Sequence, residues 1–218
     1  MKRIPIATAF RALGSGALAL GFIACASSGP SRSAKAVETM DETHAELAKV
    51  RSQIDLTLTA LGDLMNASPE QLRPTYAKYS KDVDKLRADA VKTKKRFHTM
   101  KEQRNDYLAA WGKEQGQVRD AELRQVSDAR RSEARVNLDR VIESLTVATE
   151  TFDPFLNNLG DVQKVFGNDL TPTGQSLLAS TAVVQGANEK GARVAQSIDT
   201  ALQALSNVAG QMSSNSMK

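Results

Sequence analysis

One cysteine stands in a chain of 218 residues, so no disulfide can close within it and the fold must be held by packing. Aromatic residues make up only 5% of the chain and there are six prolines. With Ala, Leu, Lys, Arg, Glu and Gln abundant, that scarcity favours helix over sheet. The two histidines, His44 and His98, lie on different predicted helices with no cysteine near either, which makes a weak basis for a metal site. No glycine-rich phosphate loop and no G-x-S-x-G elbow occurs. Asp82 and Asp84 stand two positions apart, on different faces of a helix, which does not suit paired acid and base work. The expectation is a non-enzymatic protein with no catalytic residue, no metal, no cofactor and no small-molecule substrate.

What is present begins at the N-terminus. Residues 1–24 carry Lys2, Arg3 and Arg11 and no acid, followed by an apolar stretch over residues 12–23. That stretch is diluted by Gly14, Ser15 and Gly16 and falls short of the roughly 20 apolar residues of a transmembrane helix, so it reads as a signal peptide. It closes on Phe22-Ile23-Ala24-Cys25-Ala26, which resembles the lipobox of bacterial lipoproteins, with Phe22 in the usual place of Leu. The resemblance implies a diacylglyceryl group on the Cys25 thiol, cleavage before Cys25 and acylation of the freed amine. At about 0.8 kcal/mol per buried methylene, several acyl chains make a firm anchor where one chain is marginal. Ala26, in place of Asp, further implies the outer membrane, facing the periplasm. Ala24-Cys25-Ala26 is also an A-x-A cleavage pattern, and cutting there would leave a soluble periplasmic protein.

The whole chain has a formal charge of +4, but the three cations of the signal peptide carry most of it. Without them 26 Lys and Arg face 25 Asp and Glu, which offers no electrostatic case for nucleic acid. The distribution is uneven. Residues 31–66 hold 4 cations and 6 anions, residues 67–140 hold 18 and 12, and residues 141–218 hold 4 and 7. An antiparallel bundle would set this basic middle against its acidic flanks, at a few tenths of a kcal/mol per pair.

Residues 25–32 follow as the lipidated Cys and a small, polar, Pro-broken tether. An all-α bundle with long coiled-coil helices is expected over residues 33–212, and residues 213–218 are expected to fray. Leu47, Val50, Ile54, Leu58, Leu61 and Met65 have the three-and-four spacing of a first amphipathic helix. Ser68, Pro69 and Gln71 suggest a cap and capping box for the next helix, and Pro74 suggests that Pro69 to Leu72 forms a turn of its own. Leu72, Tyr76, Tyr79, Val83, Leu86, Ala90, Thr93, Phe97, Met100, Arg104, Tyr107 and Trp111 form a heptad seam. It predicts a helix on the order of 60 Å long with left-handed supercoiling. Trp111 is expected to be core. Residues 113–135 are polar almost all round, as in a projecting helix, a hairpin tip or a mobile connection. A third seam runs from Leu138 to Phe166, with Pro154 expected to kink or split it. Thr171-Pro172 restarts the chain, and a last seam runs from Leu177 through Thr181, Val184, Asn188, Gly191, Ala195, Ile198, Leu202, Leu205 and Ala209 to Met212. The expected architecture is an elongated all-α antiparallel bundle of four or five helices.

Three stretches carry a resemblance to a known family: Tyr107-Leu108-Ala109-Ala110-Trp111; the Arg-rich Leu123-Arg124-Gln125-Val126-Ser127-Asp128-Ala129-Arg130; and Asp153-Pro154-Phe155-Leu156 through Asp169-Leu170 to Leu177-Leu178-Ala179-Ser180. They resemble an uncharacterised bacterial lipoprotein family classed as a domain of unknown function. The resemblance implies a helical, exported protein of about this length, with no activity to carry over. The chain departs from that pattern at Gly167-Asn168-Asp169. Lys92, Lys94, Lys95 and Arg96 put four cations in five residues, which could meet anionic headgroups at about 1 kcal/mol each or simply form a solvated helix face. The function expected is a membrane-anchored envelope scaffold or adaptor, contacting a protein partner or itself through its coiled-coil surface, with residues 113–135 as the contact. The alternative is a lipid-interacting, membrane-shaping module of the BAR kind acting through Lys92, Lys94, Lys95 and Arg96.

Overall fold

A computed structural model describes residues 29–216. These fold into α1 (Gly29–Met65), α2 (Leu72–Gln115), α3 (Ala121–Glu150), α4 (Phe152–Asn168), α5 (Pro172–Ala179) and α6 (Ala182–Ser216), with no strand among them. At 1.5 Å per residue, the 44 residues of α2 span about 66 Å. None of the described helices is long and apolar enough to cross a membrane. The expected signal peptide over residues 1–24 and Cys25 lie outside the described residues.

The heptad seams become the core. Leu47, Val50, Ile54 and Leu61 of α1 meet Tyr79, Val83, Leu86 and Ala90 of α2, and all are fully or almost fully buried. A second buried stripe on α1, with Thr43, Gln53, Thr57 and Leu64, goes beyond the seam seen in the sequence. It exists because α1 lies between α2 and α6, while α3 and α4 lie against the same two helices from the other side. Its polar members are satisfied. The Thr57 hydroxyl donates to the Gln53 carbonyl at 2.7 Å, and Lys85 Nζ donates to Gln53 Oε1 at 2.6 Å.

The pairing is antiparallel throughout. Residues Arg32, Glu42 and Asp63 of α1 pair with Glu114, Arg96 and Lys78 of α2, so one numbering rises as the other falls. Asn137 meets Gln211 and Thr151 meets Ser197 in the same sense between the α3–α4 rod and α6. Charged residues of the basic middle therefore find acids on neighbouring helices, as an antiparallel bundle requires.

Pro154 divides the third seam as expected. Its missing N–H and its ring are incompatible with the Glu150 carbonyl, and the helix breaks one residue later, at Thr151. Pro74 sits in the first turn of α2, where no N–H is needed. A turn over residues 69–71 precedes it, closed by the Gln71 N–H on the Ser68 carbonyl. Ser68 does not cap α2. Its hydroxyl donates to Glu70 at 2.8 Å, and α2 starts without a side-chain cap.

Three boundaries differ from the sequence expectation. First, the chain is already helical at Gly29, inside the expected tether, and Arg32 pairs there with Glu114. Second, α6 runs to Ser216, past the expected end at 212. Third, the last seam is split. The Ser180 and Thr181 hydroxyls turn back onto the carbonyls of Leu177 and Leu178 at 2.8 and 2.7 Å, ending α5 and leaving Leu177 outside and Leu178 inside. Within α6, Ala187 takes the buried place expected of Asn188.

Thr171 caps α5 by accepting the Gly174 N–H at 3.1 Å, with Pro172 in the first turn. This short helix closes one end of the bundle. Gln175 Nε2 donates to the carbonyls of Leu64 and Ala67 at 2.8 and 3.0 Å, satisfying acceptors at the C-terminus of α1.

Candidate functional site at the open end of the bundle

The other end is not closed. There α2 passes into α3 through residues 116–120, and Asp120 caps α3 by accepting the Leu123 N–H at 2.9 Å. The Arg124 guanidinium holds the turn through two bonds to the Val118 carbonyl, at 3.2 and 2.7 Å. Residues 113–135 thus form a hairpin tip, one of the forms their polarity allows.

Polar contacts zip this tip where the apolar seam has run out. Gln115 Nε2 donates to the Arg124 carbonyl at 3.3 Å, Trp111 Nε1 to Ser127 Oγ at 3.1 Å, and Arg131 Nε to the Leu108 carbonyl at 3.2 Å. Gly112 permits the last of these, since a β-carbon there would lie 2.9 Å from the Arg131 guanidinium. From α1, Arg32 reaches Glu114.

The described part of the fourth rod reaches less far. Asn137 donates to Gln211 at 2.9 Å, and five described residues of α6 follow. Beyond that level α3 continues for about eleven residues whose α6-facing side no described residue covers. A cleft of about 540 Å³ opens there, walled by Gly29 and Ser33 of α1, Tyr107 and Trp111 of α2, Arg130 and Asn137 of α3, and Val208 and Met212 of α6. Tyr107 and Trp111 meet edge to face, with centroids 5.9 Å apart. Both are half-buried, so Trp111 is a cleft wall more than a core residue. Burial raises the Tyr107 hydroxyl above the usual tyrosine range, with the Arg32 charge and Ser33 working against it. Leu123 and Val126 lie on the same stripe of α3 as Arg130 and Asn137, at steps of three and four, and are 63% and 57% exposed. Sequence reasoning gave these two no role because residues 113–135 read as polar almost all round. Their spacing was the available signal.

The basic run of α2 is placed differently. Lys94 bonds Asp153 of α4 at 2.6 Å, Arg96 bonds Glu42 of α1 at 2.5 Å, and Lys92 lies 3.6 Å from Asp89. Lys94 and Arg96 thus turn to opposite neighbours, and the four cations do not share one face. His44 and His98 stand on α1 and α2 respectively, and no group of three potential metal ligands occurs among the described residues.

Residues 23–170 match the profile of a family described as protein of unknown function (DUF2959), and the chain belongs to that family. No curated protein and no solved structure matches.

Proposed function

We propose that this chain is a lipid-anchored, non-catalytic scaffold or adaptor of a bacterial cell envelope. Cys25 holds it at one end, on the periplasmic side of the outer membrane, and the rod presents itself to a protein partner. The observation that carries this reading is the direction of α1. The described chain enters the bundle at Gly29, four residues after Cys25, and the rod extends about 60 Å away from that point. Its apolar stripes and many of its charges are used between helices; exposed apolar side chains occur along the rod, Val91 and Leu56 among them, and at both ends. At the closed end these are Leu177 and Val183, both exposed.

Two measurements test this reading. Cys25→Ala should move the protein from the membrane fraction to the soluble one, and retention in the membrane would refute the anchor. A photocrosslinking residue at Leu177 should capture one other envelope protein, identified by mass, whereas a crosslinker at Arg124 should not give the same adduct. Adducts with this chain alone from both positions would replace the adaptor with a self-assembling scaffold.

A further inference from the structure

We infer that the open end of the bundle is a membrane foot, and that the anchored rod stands on the bilayer with Leu123 and Val126 seated among the lipid headgroups. The inference rests on the Cys25 anchor proposed above and adds an orientation and a second, non-covalent contact. Four peptide units separate Cys25 from Gly29, a reach of about 14 Å at full extension. Gly29 lies at the open end. It shares the cleft with Tyr107 and Trp111, and Arg32, three residues on, pairs with Glu114 one residue before the end of α2. An anchor on so short a lead brings that end, and the hairpin turn over residues 116–120, to the membrane surface.

The chemistry displayed there suits the surface of a bilayer. Leu123 and Val126 stand out from a helix face that no described residue of α6 covers. Arg119 and Arg130 flank them, exposed and without an acidic partner among the described residues, and a long basic side chain can lay its stem on apolar surface with its charge at the phosphates. Tyr107 and Trp111, half-buried with polar tips, are of the type that gathers at membrane interfaces. Two apolar side chains are too few to hold a free protein on a membrane. Once the acyl chains confine the protein, the second contact is intramolecular and needs little affinity. By contrast, the basic run at Lys92, Lys94, Lys95 and Arg96 lies near the middle of α2, some 30 Å up the rod.

The test uses the full lipidated chain in vesicles of phosphatidylethanolamine and phosphatidylglycerol. With Cys25 acylated, a spin label on Leu123→Cys or on Leu177→Cys occupies the sole free thiol. The ratio of oxygen to nickel-chelate collision should be several-fold higher at position 123 than at 177. Trp111, the single tryptophan, should be quenched by brominated lipid. Vesicle-bound protein with equal ratios at the two positions and no quenching would overturn the foot while leaving the anchor intact. A label at 123 shielded from both reagents would overturn it in favour of a covering protein segment. Protein that stays off the vesicles with a titratable Cys25 thiol would overturn the anchor, and the foot with it.

Discussion

The two ends of this rod are built from the same heptad pattern and pack in opposite ways. At the closed end, Tyr79, Phe155, Leu159 and Phe166 are fully buried, and the tyrosine hydroxyls of Tyr79 and Tyr76 donate to the α4 carbonyls of Leu159 and Gln163 at 2.8 and 3.0 Å. Close approach of the helices is helped by Gly191, where a β-carbon would come within 2.7 Å of Leu58. At the open end Tyr107 and Trp111, which continue the same seam, stay half-exposed and the helices are joined by polar contacts. What separates the ends, among the described residues, is whether a fourth helix is present at that level. A seam residue is buried by its neighbours on other helices, and periodicity within one helix says nothing of where those neighbours stop.

The largest test of this contrast is truncation on each side. Phe155→Ala removes a fully buried ring and should cost about 3–5 kcal/mol in urea unfolding, with an unchanged denaturant slope. Trp111→Ala deletes a larger side chain at the open end and should cost less than half as much. Equal costs would mean that one uniform core runs the whole length of the rod.

A smaller effect appears with pH. Burial pushes the Tyr79 hydroxyl far above the usual tyrosine range. The folded state therefore keeps its proton where the unfolded chain has lost it. Tyr79 contributes fully below about pH 10, the unfolded value, and its contribution is lost as pH rises above that at up to about 1.4 kcal/mol per unit. Urea unfolding across pH 9 to 11 should show this loss, and Tyr79→Phe, which has no proton to give, should show a shallower decline. Parallel declines would mean that water reaches the phenol, and that the closed end is no tighter than the open one.

Much of this contrast was hidden in the sequence for identifiable reasons. The seams of α1 and α2, the break near Pro154 and the Thr171-Pro172 restart could all be read, because each depends on residues within a turn or two of one another. The separation of α5 from α6 was missed, since Ser180 and Thr181 end the helix with back-bonded hydroxyls and not with glycine or proline. The uncovered stripe at Leu123 and Val126 was missed for a longer-range reason. It depends on the last described turn of α6 lying near the level of residue 132 of α3, a register set by pairs such as Asn137 with Gln211, which stand 74 residues apart. For the basic run, sequence gave the cations but not their partners, and Asp153 and Glu42 come from two different helices.

The smallest expected effect bears most directly on function. Leu123 and Val126 make little contact with the fold, so Leu123→Ser combined with Val126→Ser should change unfolding free energy by no more than about 0.5 kcal/mol. Exposed apolar side chains that contribute little to the bundle are available to another surface, and these two lie at the end where the proposed anchor would hold the rod. A loss above about 1 kcal/mol in the double variant would show that the tip is packed after all. The two ends would then differ in degree only, and Leu123 and Val126 would belong to the core that α6 begins and the hairpin completes.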